Sequence, residues 1–262
     1  MRSDSPRVYL LDVEGTVAPI AFVYQQLFPY ARAHFESFLS NAMPRPDQDI
    51  DMSEGSVWWD LMMLKMENMK EQNSDAPRMT PPGFARDAKN ISMSPSVGIP
   101  ITLRYIFWLM DRDRKSTALK SLQGRIWKAG FESGELKGTL FADVPDALRR
   151  WSADASVAIY SSGSVEAQRL LFRHSIFGDL TGLISAYFDT RTGPKQASAS
   201  YTAIAAAMNA EPGEVLFLSD VVRELDAARE AGCQTRLVMR EGNAPVDDAH
   251  GHRGIDTFEQ EI

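Results

Sequence analysis

The 262-residue chain holds a single cysteine, Cys233. No intrachain disulfide can form, which excludes a disulfide-stapled scaffold and fits a reducing compartment. Cys233 lies in Ala-Gly-Cys-Gln-Thr, ahead of an apolar run, and reads as a small packing residue rather than a reactive thiol. No apolar stretch reaches the length of a membrane span. The opening Met-Arg-Ser-Asp-Ser-Pro is polar and lacks the apolar run of a signal peptide, so a cytoplasmic protein is expected. Positive charge is in deficit: 28 Lys and Arg stand against 35 Asp and Glu, a net charge of −7. That argues against nucleic acid as a partner, and a phosphorylated ligand would need a local positive site or a metal. No internal repeat is present. Nothing points to an obligate oligomer, and a monomer is expected.

What the chain does have is a set of short apolar runs that stop abruptly. The first is Val8-Tyr9-Leu10-Leu11, which ends on Asp12 and, after Val13, meets Glu14-Gly15-Thr16. The run has the length and residue types of a buried strand, and Gly15 lets the chain turn sharply away. Residues 156–160 stop at Ser161-Ser162-Gly163, and 215–218 stop at Ser219-Asp220. Residues 235–239 end near Arg240-Glu241-Gly242-Asn243. Helix-like segments follow these runs, and alternating strands and helices imply a parallel sheet with crossover helices. Between the first and second runs, 18–140 has few strand signals. Helices are expected over 28–39, 56–69, 100–108 and 116–129, with an irregular loop over 73–100 where Gly and Pro cluster. The expected fold is α/β: a doubly wound, Rossmann-like parallel-sheet core over 1–17 and 141–262, with a helical cap over 18–140 inserted after the first strand. Met62, Met63, Met66 and Met69 recur at helical spacing, which predicts core packing, as for Trp58 and Trp59. His34, His174, His250 and His252 read as structural or solvated.

In open α/β sheets, ligands bind beyond the carboxyl ends of the strands. If the runs are neighbouring strands, Asp12, Glu14, Ser161, Ser162 and Asp220 converge at one edge, with Lys195 in a loop that reaches it. This set suits phosphoryl transfer through a covalent aspartyl-phosphate. A carboxylate can take the phosphoryl group, and an acid two residues on can protonate the leaving oxygen and then activate water. Asp12 and Asp220 would repel each other without a cation between them, and hard carboxylate ligands suit Mg²⁺. Ser161, Ser162 and the backbone amides near Val165 can donate to phosphate oxygens, and Lys195 supplies a positive charge. Each piece alone has a plainer reading: Ser-Ser-Gly as a helix N-cap, Lys195 as a surface lysine, Ser-Asp as a turn. Their order along the chain carries the argument.

That order resembles the four motifs of the haloacid dehalogenase-like hydrolases. Leu11-Asp12-Val13-Glu14-Gly15-Thr16 is similar to the nucleophile motif, with Glu14 where most of the superfamily's phosphatases carry Asp. That departure, Pro19-Ile20 and Leu27-Phe28-Pro29-Tyr30 resemble the enolase-phosphatase family of methionine salvage. So do Asp113-Arg114-Lys115-Ser116-Thr117-Ala118-Leu119-Lys120-Ser121-Leu122-Gln123-Gly124 and Phe141-Ala142-Asp143-Val144. So, finally, do Ile159-Tyr160-Ser161-Ser162-Gly163-Ser164, Gly193-Pro194-Lys195 and the run from Phe217 to Ala228. The resemblance implies a haloacid dehalogenase-like fold. It implies enolisation of 2,3-diketo-5-methylthiopentyl-1-phosphate followed by dephosphorylation to the acireductone. It also implies a Mg²⁺ site from Asp12, Glu14 and Asp220, and substrate phosphate held by Ser161, Ser162 and Lys195. For Glu14 a second assignment stays open, in which its backbone carbonyl meets the metal and its side chain moves protons. The enolisation base is open between Glu14 and a cap residue. Val17-Ala18 and Arg173 depart from the family's usual residues. Rival readings are a general phosphomonoesterase, a phosphomutase, a dehalogenase that would leave Asp220 unexplained, and a non-catalytic phosphate-binding protein, against which the intact Asp12 argues.

Overall fold

A computed structural model describes residues 5–42, 51–79, 95–114, 116–247 and 251–260. His250, Lys115 and residues 80–94 of the expected loop lie outside them. In chain order the elements are β1 (Val8–Leu11), α1 (Ile20–Phe22), α2 (Phe28–Ala42), α3 (Val57–Lys70), α4 (Pro95–Asp111) and α5 (Thr117–Ser133). There follow α6 (Val144–Asp154), β2 (Ser156–Tyr160), α7 (Val165–Arg173), β3 (Ala186–Phe188) and α8 (Ser198–Ala207). The last are β4 (Val215–Ser219), α9 (Val222–Glu230), β5 (Gln234–Val238) and β6 (Gly254–Ile255). They divide into two compact units, Met1–Leu27 with Gly130–Ile262, and Phe28–Ala129. The sequence places its borders at 17/18 and 140/141; the units part inside helical segments instead.

The first unit is built on one six-stranded sheet in the order β3-β2-β1-β4-β5-β6, with every pair parallel. Leu11 pairs with Ile159 on one side and Leu218 on the other, so β1, β2 and β4 end level. The order reverses direction at β1, which makes the carboxyl end of β1 the switch point where such sheets bind ligands. The central strands are apolar but for Ser156 and Ser219 at their ends, because both faces are covered. Val8 and Leu10 pack toward Tyr201, Ile204, Leu225 and Ala228. Tyr9, one residue out of phase, stacks on Trp151 of α6 with ring centres 4.6 Å apart. Residue 12 follows the parity of Val8 and Leu10, which aims Asp12 to the α8–α9 side. Strands β3 and β6, three and two residues long, are the edges and were not expected from sequence.

The second unit packs α2, α3, α4 and the first turns of α5 around Phe35, Leu39, Leu64, Tyr105, Ile106, Leu122 and Ile126. Helix α4 begins at Pro95, so the expected loop is helical from that point and Pro100 lies inside the helix. The methionine stripe is corrected in part: Met63 packs against this core as expected and Met62 is half-buried. Met66 and Met69 are 42% and 71% exposed, while α3 buries Asp60, Leu64 and Asn68, four residues apart on one face. Two polar groups hold that face: Asp60 accepts from Ser121 at 2.6 Å, and Asn68 donates to the Pro77 carbonyl at 2.7 Å. The fully buried row is partly polar, so apolar spacing located only part of the inward face. Trp58 and Trp59 are half-buried. Among the described residues, no helix is long and apolar enough to cross a membrane.

Candidate active site

Asp12 continues the β1 ladder, donating its amide to the Leu218 carbonyl at 3.0 Å, and its side chain is 3% exposed. Its Oδ1 accepts from the Val13 amide at 2.7 Å and from Lys195 Nζ at 2.6 Å, and its Oδ2 from Ser219 Oγ at 3.1 Å. Beyond it the chain doubles back: the Ala18 amide reaches the Val13 carbonyl at 2.9 Å and the Gly15 amide the Ala18 carbonyl at 2.8 Å. Gly15 sits at φ +75°, and a Cβ there would run into the Asp220 carboxylate. A side chain is therefore excluded twice, by backbone conformation and by space.

The tight turn brings Glu14 back over the site. Ser161 Oγ donates to Glu14 Oε2 at 3.3 Å and accepts from the Gly163 amide at 3.0 Å. Burial, then the Asp12 charge, push the Glu14 carboxyl up, against the lowering effects of its own backbone amide, Lys195 and Ser161. Asp220, at the end of β4, is pushed up to about 7 by burial and then by Asp12. Lys195 Nζ bridges Asp12 and Glu224, each at 2.6 Å. Burial would lower its ammonium, but the Asp12 and Glu224 charges outweigh burial and hold it above the ordinary lysine value. Glu224 itself is pushed up to about 7 by burial and Asp12, against Lys195.

Asp12, Glu14, Ser161, Lys195 and Asp220 thus share one site in the first unit. Ser162 is exposed in the same turn. The N-cap of α7 is Ser164, which accepts from the Ala167 amide at 3.2 Å, so capping does not occupy Ser161 or Ser162. Two of the amides expected for phosphate are taken: Gly163's by Ser161 and Ala167's by Ser164. Several contributors have no role that their own spacing signals, although Glu224 lies in the run from Phe217 to Ala228 and Arg240 and Asn243 stand at the end of the fourth run. Glu224 lies one helical turn past Asp220. Gln168 ties the Gly163 and Phe188 carbonyls together at 2.8 and 2.9 Å. Asn243 donates to the Gly15 carbonyl at 2.9 Å, and Arg240 to the Thr16 carbonyl at 3.3 Å.

The arrangement fits a hard cation. Four carboxyls, Asp12, Glu14, Asp220 and Glu224, face the Lys195 ammonium, and Asp220 Oδ1 is buried without a hydrogen-bond partner among the described residues. Among those residues no three His, Cys, Asp or Glu side chains form a ready cage. Mg²⁺ needs none, since it is held by one or two carboxylates with water and substrate oxygens completing its shell.

The family model of the haloacid dehalogenase-like hydrolases matches residues 6–232. The chain is 48% identical over 239 residues to Enolase-phosphatase E1 of Synechococcus elongatus, covering 91% of this chain and 90% of that one. It is 43% identical over 254 residues to Enolase-phosphatase E1 of Leptospira borgpetersenii serovar Hardjo-bovis, covering 96% of each. Its fold overlays on the crystal structure of the UTR4 protein of Saccharomyces cerevisiae with a TM-score of 0.71 and 34% identity, covering 98% of this chain and 100% of that one. On sheet order, site residues and relatives together, the chain belongs to the haloacid dehalogenase-like hydrolases, within the enolase-phosphatase family.

Proposed function

We propose that the chain converts 2,3-diketo-5-methylthiopentyl-1-phosphate to 1,2-dihydroxy-3-keto-5-methylthiopentene and phosphate, the enolase-phosphatase step of methionine salvage. The observation that carries the reading is Asp12: a buried carboxylate at the switch point, 2.6 Å from Lys195, with Glu14 two residues on. Its Oδ attacks phosphorus, forming the aspartyl-phosphate as the bond from phosphorus to the substrate oxygen breaks. Glu14, whose raised carboxyl suits proton carriage, protonates the leaving oxygen and then takes a proton from the water that releases phosphate. Lys195 offers its positive charge to the phosphoryl oxygens, and Ser161 and Ser162 donate to them. Asp12, Asp220 and Glu14 through its backbone carbonyl would hold Mg²⁺, which would supply positive charge to the phosphoryl group and leave the Glu14 side chain to move protons. For the enolisation a base must take the proton from the carbon beside the substrate carbonyl while the carbonyl oxygen gains one, and Glu14 is the candidate base of this unit. Cys233, buried and unpaired, supports placing the protein in the cytoplasm.

Chelation and a single variant test the reading. With millimolar EDTA, phosphate release should stop and return with added Mg²⁺. Lys195→Ala should lose activity and, because its ion pairs with Asp12 and Glu224 are buried, lower the melting temperature as well; an unchanged rate in the folded variant would remove Lys195 from the mechanism.

A further inference from the structure

The loop that delivers Lys195 is held in an unusual way. Three consecutive backbone carbonyls, of Gly193, Pro194 and Lys195, each accept a hydrogen bond from a different side-chain hydroxyl. Tyr160 Oη at the end of β2 donates to Gly193 at 2.9 Å. Ser200 Oγ donates to Pro194 at 2.8 Å, and Tyr201 Oη to Lys195 at 2.7 Å, both from the first turn of α8. All three donors are buried, at 0%, 3% and 1% exposure. The two tyrosine rings meet edge to face with centres 5.7 Å apart, and Tyr201 packs in turn on Phe217 of β4 at 5.0 Å. Gly193 lies at φ +151°, and a Cβ there would strike Ser200 Oγ, so the loop and its donors fit only with glycine at that place.

Buried carbonyls need partners, and a turn or a water could have supplied them. The Pro194 carbonyl has such a turn partner, the Ala197 amide at 3.0 Å, but all three hydroxyls come from two elements packed against the central strand that carries Asp12. The hydroxyls fix the Lys195 backbone to the same frame as the nucleophile, and Nζ then reaches Asp12 and Glu224 at 2.6 Å each. We infer that Tyr160, Ser200 and Tyr201 are positioning residues for Lys195, setting where its ammonium meets the phosphoryl group. This rests on the reading of Lys195 as a phosphoryl-contacting residue. Misplacement of a catalytic group by about 1 Å costs on the order of 100-fold in rate.

The test compares Tyr201→Phe, Tyr160→Phe and Ser200→Ala with Lys195→Ala, all as the full chain with saturating Mg²⁺. Rates of phosphate release from the diketo phosphate and inhibition by orthovanadate, a mimic of the transferring phosphoryl group, are read together. Each hydroxyl deletion is expected to lower kcat by roughly tenfold or more and to weaken vanadate inhibition in step, with KM little changed. Phenylalanine keeps the ring packing, and Ser200→Ala removes a single oxygen atom, so at least one variant reads out in a folded protein. If Lys195→Ala is inactive while folded hydroxyl variants keep wild-type kcat and vanadate affinity, the three groups only satisfy buried carbonyls and the inference falls. If Lys195→Ala is itself fully active, the reading of Lys195 falls, and the inference with it.

Discussion

Asp12 and Gly15 illustrate how little freedom the site leaves a single residue. Asp12→Asn keeps the shape that Val13, Ser219 and Lys195 hold but lacks the nucleophilic oxygen. It should give a folded protein, judged by circular dichroism, that releases no phosphate and binds Mg²⁺ weakly by calorimetry; substantial turnover would rule out an aspartyl-phosphate. Gly15→Ala adds one methyl group at a left-handed position beside the Asp220 carboxylate. The strain and the clash together predict loss of activity and a melting temperature several degrees lower, read by calorimetric scanning. Cys233 carries the clearest pH effect. Burial pushes its thiol up to about 11 from an ordinary 9.0. Between those values the folded thiol keeps a proton that the unfolded one loses, so this group makes stability fall as pH rises above 9. The same shift predicts that iodoacetamide at pH 8 leaves the native protein unlabelled and labels it fully in urea.

At the scale of elements, the ends of strands and helices are tied down by pairs that sequence does not advertise. Arg240, just past β5, forms an ion pair with Asp143 at 2.9 Å, with 7% and 9% of the two side chains exposed. Its guanidinium lies 4.5 and 4.6 Å from the ring centres of Phe141 and Phe258, and it reaches the Thr16 carbonyl of the acid-bearing turn. Removing one partner of such a pair costs about 3–5 kcal/mol, so Arg240→Ala should lower the urea midpoint markedly. It should also slow phosphate release, because the turn carrying Glu14 loses an anchor. The runs at β1, β2 and β4 were legible because burial on both faces favours nearly unbroken apolar residues, whereas β5, Gln-Thr-Arg-Leu-Val, showed only through its apolar end at Leu237 and Val238. Edge strands β3 and β6 were not, because two or three residues carry no pattern. The helices over 28–39, 56–69 and 116–129 were visible within a few residues of their ends, but the inward face of α3 was visible only in part. Its buried positions include Asp60 and Asn68, satisfied by partners distant in sequence. The same holds for the site. Asp12, Glu14, Ser161, Lys195 and Asp220 could be read because each follows a strand or lies in a loop near its end. Glu224, Asn243 and the three hydroxyls on the Lys195 loop matter only through contacts that the fold creates.

For the molecule as a whole, an acidic chain with net charge −7 gathers four carboxyls near one buried lysine, two of them, Asp12 and Glu224, in ion pairs with it. Negative charge of that kind repels an anionic substrate, and a bound cation would offset it, so metal dependence is the central expectation of the proposed function. The most direct test supplies 2,3-diketo-5-methylthiopentyl-1-phosphate under nitrogen, with and without Mg²⁺, and follows released phosphate together with the near-ultraviolet absorbance of the enediol. The account predicts that both signals rise, and only with the metal present. Phosphate released from generic esters while this substrate stays inert, or equal turnover without metal, would contradict it.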